Sequence, residues 1–158
     1  MSRTHGYAPK GQRLESAEPL QPPVKQTVIA GLSTHGILAP LIVDGAMNGT
    51  LFVAWLEQEL FPLMKRRDIL ILDNLRVHKV EAVETAAAKA HIQLLYLPPY
   101  SPDLSAIEPL WSKVKTFLRK IGATTKEELE KAFCQALDAV TSENILNWFH
   151  HCGYTCDA

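Results

Sequence analysis

The sequence predicts a mixed α/β sheet with helices packed on it, and three observations carry that prediction. Two β-branched, apolar runs flank a glycine-containing turn early in the chain. Two more short apolar runs then alternate with helical patterns, and the last third shows helical periodicity alone. The resulting order is strand, strand, helix, strand, helix, strand, helix, which is a layered α/β arrangement.

The elements follow in chain order. Residues 1–23 are rich in Gly, Pro and charge and read as loop, with one short strand near 12–15. Runs at 25–33 and 37–43, joined by Thr34-His35-Gly36, read as a hairpin. Asn48 is a helix cap. After it, Leu51, Phe52, Trp55, Leu56, Leu60 and Leu63 recur at helical spacing. The run Asp68-Ile-Leu-Ile-Leu-Asp73 reads as a buried strand. Residues 79–90, rich in Ala and Glu, should be helical. Residues 92–97 form another strand, stopped by Pro98 and Pro99. Leu110, Val114, Phe117, Leu118 and Ile121 make one apolar helical stripe, which Gly122 ends. Residues 123–158 read as C-terminal helices. Thr125 with Glu128 resembles a capping box, followed by a stripe at Leu129, Phe133, Ala136, Leu137 and Val140, and a last helix starts at Ser142.

With 158 residues the chain is long enough for one domain with a core of its own. At 47% hydrophobic and 21% charged residues, its composition is that of a globular protein and argues against disorder. Net charge is -1, so any nucleic-acid contact has to come from local basic patches. No apolar run reaches the roughly 18 residues of a membrane span, and the N-terminus lacks the apolar stretch of a signal peptide. Three cysteines, all in the last quarter, fit a reducing cytoplasm better than a disulfide scaffold.

Two acids stand out, Asp73 and Glu108, with 34 residues between them. Cleaving a phosphodiester takes an activated water and a stabilised leaving oxygen, which two divalent cations about 3.5–4 Å apart supply. Magnesium and manganese take hard oxygen ligands, so a protein that holds them gathers carboxylates. Asp73 ends an apolar strand, where α/β sheets tend to hold ligands. The bland reading, that Asp73-Asn74 only turns the chain, stands beside it. Glu108 opens a basic helix and shares a face with Lys115 and Arg119. A capping role with Ser105, or an ordinary solvated face, is the competing account, and Pro109 suggests that the helix starts at 109. Asp44 suits a turn before Gly45. His78 fits a structural hydrogen bond better than a metal or phosphate contact. The string from His150 to Cys156 has soft ligands but no second cluster to complete a zinc site. Trp55 and Trp111 read as core.

Residues 68–120 resemble the mariner-type insertion-sequence transposases of bacteria, in the DDE endonuclease superfamily. The carrying motifs are Ile71-Leu-Asp-Asn74 with His78, then Tyr96-Leu-Pro-Pro-Tyr-Ser-Pro-Asp-Leu104, then Ile107-Glu-Pro-Leu-Trp111 with Lys113-Val-Lys115. Weaker similarity runs through 3–14 and 43–49. The resemblance implies a ribonuclease H-like fold, Asp73 and Glu108 as the second and third catalytic, metal-binding acids, and a two-metal Mg²⁺ or Mn²⁺ site. It implies strand cleavage at element ends and strand transfer by the freed 3′-hydroxyl. Asn74, His78, Lys113, Lys115 and Arg119 become candidate nucleic-acid contacts.

In such relatives the first aspartate lies on a strand before the segment matching 3–14, and no acid precedes Glu15 here. The expectation is therefore a single catalytic domain, residues 1–158, truncated before its first and central strand and inactive alone. Losing that strand exposes the edges of two neighbours. The expected partners are DNA, both transposon ends and target, and a full-length transposase, in bacterial cytoplasm on the nucleoid. The alternatives are a non-catalytic regulator that binds DNA or transposase, and the inert remnant of a decayed element.

Overall fold

The computed structural model describes residues 10, 26–123 and 125–155, so the short strand expected near 12–15 lies outside the described residues. Strand β1 (Gln26–Ser33) pairs antiparallel with β2 (Gly36–Asp44) through the expected tight turn. The register shifts between Ile29 and Gly31, where Ala39 and Pro40 of β2 lie opposite Ala30. This is a bulge, with Ala39 at φ 47°. The carbonyl left free at Ala39 is taken by the Trp55 indole N–H at 2.9 Å.

Alternation along the hairpin sends its side chains into two cores. Ile29 and Leu38 face one; Val28, Leu32, Ile37 and Ile42 face the other. Helices therefore pack on both sides of the hairpin.

The first core holds Phe52, Trp55, Leu56, Leu60, Phe61, Leu72 and Val83, among others. Helix α1 (Gly49–Trp55) starts at Asn48, whose side chain accepts from the Leu51 amide at 2.9 Å. The helix then widens into a π-helical turn (Leu56–Leu60) and tightens into a 3-10 turn (Phe61–Leu63). The wide turn shifts the face by one position. Phe61 is buried in place of Leu63, which the regular helical spacing had put in the stripe and which is 56% exposed. Gly31 is needed where this layer meets the hairpin, because a Cβ there would lie 2.8 Å from Leu60 Cδ1.

Strand β3 (Ile69–Leu72) pairs in parallel with β4 (Gln93–Tyr96), and α2 (Glu81–Ala90) makes the crossover between them. Only Leu72 of β3 is buried, and Ile69 and Leu95 are both 50% exposed. The sequence reading of a buried strand is thus corrected. Leu70, Leu72, Leu94 and Tyr96 reach the first core, while the opposite face of this pair carries no packed layer among the described residues. Within those residues no ladder joins β3 or β4 to the hairpin.

The second core is built by α3 (Ile107–Ile121), α4 (Lys126–Asp138) and α5 (Ser142–His151). Leu110, Val114 and Leu118 meet Ala132, Phe133 and Ala136, with Trp111 and Trp148 partly buried against them. Each fully buried leucine contributes roughly 1.5–3 kcal/mol. Ile121, expected in this stripe, is 45% exposed at the helix end. Gly122, at φ 67°, ends α3 in the left-handed conformation. The Thr125–Glu128 capping box is present, with both bonds at 3.2 Å, and Thr141 with Asn144 makes a second one at α5. Among the described residues no helix is long and apolar enough to cross a membrane.

Candidate active site

Asp73 directly follows the last residue of β3. Its side chain is 43% exposed. The strand end is fastened by two bonds to β4's exit: the Leu97 amide donates to the Leu72 carbonyl at 2.8 Å, and the Asn74 side-chain amide donates to the Leu97 carbonyl. From there the chain turns. Asp73 Oδ1 accepts from the Leu75 amide at 3.0 Å, which is the side-chain turn that Asp-Asn sequences favour. The same oxygen meets His78 Nδ1 at 2.6 Å. The turning role is therefore realised, but by one oxygen. Oδ2 has no hydrogen-bond partner among the described residues.

His78 ends a short 3-10 turn (Arg76–His78) and is itself well held. Its ring packs on Phe52, centroids 4.5 Å apart, and its carbonyl accepts from the Tyr96 hydroxyl at 2.9 Å. Burial, and secondarily the charge of Glu84, pushes the Tyr96 phenol above its ordinary pKa. Neither Phe52 nor Tyr96 carries a sequence signal that points to this turn; their part is visible only in the packing.

Glu108 lies in the first turn of α3 and is exposed. The helix begins at Ile107 rather than at 109, with Ala106 at its N-cap, after a 3-10 turn (Pro102–Leu104). Pro109 is tolerated there, since first-turn amides have no intrahelical acceptor. No side-chain cap forms at this end: the Glu108 amide bonds the Ser105 carbonyl at 3.1 Å. The capping account of Glu108 is thereby excluded. Its carboxylate has no hydrogen-bond partner among the described residues. It sits on the rim of an open groove of about 990 Å³ between α3 and α5, lined by Lys113, Thr116, Lys120, Trp148 and His151 among others. Asp73 does not line that groove.

The remaining candidates divide. Lys115 and Arg119 are exposed on the Glu108 side of α3. Lys113 is engaged: its ammonium donates to the Ala139 carbonyl at 2.7 Å and to Asn144 Oδ1. The Asn74 amide is spent on Leu97. Asp44 is paired at 2.7 Å with Lys126 at the start of α4, and Lys126 with Gln26 holds its carboxyl below the ordinary range. The His150–Cys156 string is described up to Thr155, and there Cys152 is buried and free.

The donors suit a hard divalent cation in kind, because Asp73 Oδ2 and the Glu108 carboxylate are oxygens without a hydrogen-bond partner among the described residues. Among the described residues, no group of three or more His, Cys, Asp or Glu side chains is placed to hold a metal.

Residues 1–130 match the family model described as DDE superfamily endonuclease. A search of curated proteins gives no match. Among solved structures, the Mos1 strand transfer complex aligns with a TM-score of 0.79 at 20% identity, covering 96% of this chain and 47% of that one. The Mos1 mariner paired-end complex with Mn gives 0.76 at 19%, covering 96% and 48%. The catalytic domain of Mos1 mariner transposase gives 0.67 at 16%, covering 82% and 74%. The chain thus spans about half the length of the first two. At these identities the likeness establishes the fold, which is the ribonuclease H-like fold of that catalytic domain, covered in part. Matched over 130 of its 158 residues, the chain belongs to the DDE superfamily endonucleases.

Proposed function

We propose that this chain is the catalytic-domain part of a transposition endonuclease, related to metal-dependent DNA strand cleavage and strand transfer, and that it does not cleave alone. The observation that carries the reading is Asp73. Its carboxylate stands at the C-terminal end of a parallel strand pair, with one oxygen fixed and the other without a partner among the described residues. In this reading Asp73 and Glu108 hold Mg²⁺ or Mn²⁺. A divalent pair, when bound, supplies an activated water and charge neutralisation at the leaving oxygen. The protein's own part is positioning: Asp73 and Glu108 present oxygens, while Lys115 and Arg119 attract the phosphate backbone of transposon-end or target DNA. Lack of activity alone rests on the ligand count among the described residues, where no third acidic side chain joins a metal-holding group. A hard cation takes about six oxygens, and two carboxylates neutralise a cation pair poorly.

The test is nicking of DNA carrying element ends, with Mg²⁺ or Mn²⁺, alongside metal titration of wild type, Asp73→Asn and Glu108→Gln. The expected result is no cleavage and weak metal binding that each substitution removes. Robust cleavage abolished by Asp73→Asn would show that the chain contains a third ligand. A second reading, a regulator that binds DNA or a full-length transposase without chemistry, draws on the exposed Lys115 and Arg119. Metal-independent DNA binding lost in the Lys115→Ala, Arg119→Ala double variant would favour it.

A further inference from the structure

We infer that His78 is the positioning residue for Asp73: it holds one carboxylate oxygen in place so that the other is available to a ligand. The inference rests on the metal-binding reading of Asp73 and adds to it a residue that sets the carboxylate's orientation. An ionised carboxylate only accepts hydrogen bonds. The 2.6 Å contact between His78 Nδ1 and Asp73 Oδ1 therefore places the proton on Nδ1, and the ring donates. Together with the Leu75 amide at 3.0 Å, it gives Oδ1 two donors, while Oδ2 has none among the described residues. A carboxylate on a single-bond pivot otherwise samples several rotamers. Two donors on one oxygen select one of them.

The mount is rigid because His78 is anchored on three sides. Its amide donates to the Leu75 carbonyl at 3.0 Å, and its carbonyl accepts from Tyr96 at 2.9 Å. Its ring rests on Phe52, which is 2% exposed in the first core. Tyr96 lies opposite Leu72 in the β3–β4 register, so the anchor ties the turn to both strands. A histidine that only filled space would need the ring but not the donor. Groups that orient a metal ligand typically change metal affinity by about 10–100-fold when removed.

The decisive variants separate donor from bulk. His78→Phe keeps a ring on Phe52 and removes the donor; His78→Asn keeps a donor at similar reach and removes the ring. Mn²⁺ affinity is measured for both, with Asp73→Ala as reference, and each variant's melting curve is recorded. The expected pattern is loss of binding in Asp73→Ala, about 10-fold weaker binding in His78→Phe, and recovery in His78→Asn. Wild-type affinity in His78→Phe, with Asp73→Ala inactive in binding, would overturn the inference and leave the Asp73 assignment standing. Unchanged binding in Asp73→Ala would remove the metal assignment itself. In that case, and equally where wild type binds no Mn²⁺, long-range ¹H–¹⁵N spectra of the imidazole decide. A His78 Nδ1–H tautomer that is lost in Asp73→Ala supports the holding contact, and one unaffected by that change refutes it.

Discussion

Lys113 separates two accounts of α3 by magnitude. The sequence offers it as a phosphate contact, whereas the structure shows its ammonium donating to the Ala139 carbonyl at the end of α4 and to Asn144 in the first turn of α5. Asn144 Oδ1 also accepts from the Thr141 amide at 3.3 Å, so Lys113 braces the capping box that starts α5. Lys113→Met keeps the aliphatic stem and removes both bonds. A hydrogen bond to a charged group is worth about 1.5–3 kcal/mol when shielded, but exposed ion contacts return only about 0.2–1 kcal/mol. One of these bonds is exposed and the other part-buried, which gives a combined cost of about 1–2 kcal/mol. For a chain of this size, each kcal/mol lowers Tm by about 2–4 °C.

Two assays discriminate. Differential scanning calorimetry should show Lys113→Met melting about 2–8 °C below wild type. DNA binding measured against salt should keep its slope. A lost phosphate contact instead reduces that slope by about 0.9 and leaves Tm where it was. An unchanged Tm with a shallower slope would refute the bracing account and return Lys113 to the DNA-contact set.

Three further outcomes follow from the packing. Phe52→Ala, which empties the site under His78 in the first core, should cost about 3–5 kcal/mol in urea unfolding; a cost under about 1 kcal/mol would mean that the core collapses around it. Thr125→Ala removes one bond of the α4 capping box and should cost about 1 kcal/mol in the same assay. Burial raises the pKa of Cys152, Tyr96 and Tyr154. A group whose folded pKa is raised gives stability that is complete below its unfolded pKa and is lost as pH rises through the folded value. Stability should therefore hold steady up to about pH 8.5 and decline at higher pH, where these groups ionise in the unfolded chain first; a flat profile to pH 11 in chemical denaturation would contradict the desolvation of buried Cys152 and partly buried Tyr96 and Tyr154.

Much of this architecture is legible because single residues carry it. Asn48 and Thr125 cap the helices their sequences announce, and the α3 stripe at Leu110, Val114 and Leu118 is buried as its spacing requires. What escapes is set by tertiary packing. The π-helical turn that brings Phe61 inward has no local signature, since its wide turn is stabilised by the core it fills. Ile69 is apolar but half exposed, because hydrophobicity reports what a residue tolerates and not whether a layer covers it. At the site, the apolar run locates Asp73 at a strand end. The contact with His78 depends on a 3-10 turn that curls five residues back on themselves, a geometry that no periodicity predicts.

Asp73 and Glu108 are held by opposite means, and this decides how their variants are to be interpreted. Asp73 is woven into a turn, so its substitution disturbs Leu75 and His78 as well as any ligand. Glu108 has no such partners among the described residues. Its place in the first turn of α3 gives its charge only the favourable helix-end field, worth about 0.3–1 kcal/mol. Glu108→Gln should therefore melt within about 4 °C of wild type. Loss of Mn²⁺ binding in that variant then reports a missing ligand and not a loosened fold. If Glu108→Gln instead melts far below wild type, Glu108 belongs to the folding of α3, and the case for a shared metal site rests on Asp73 alone.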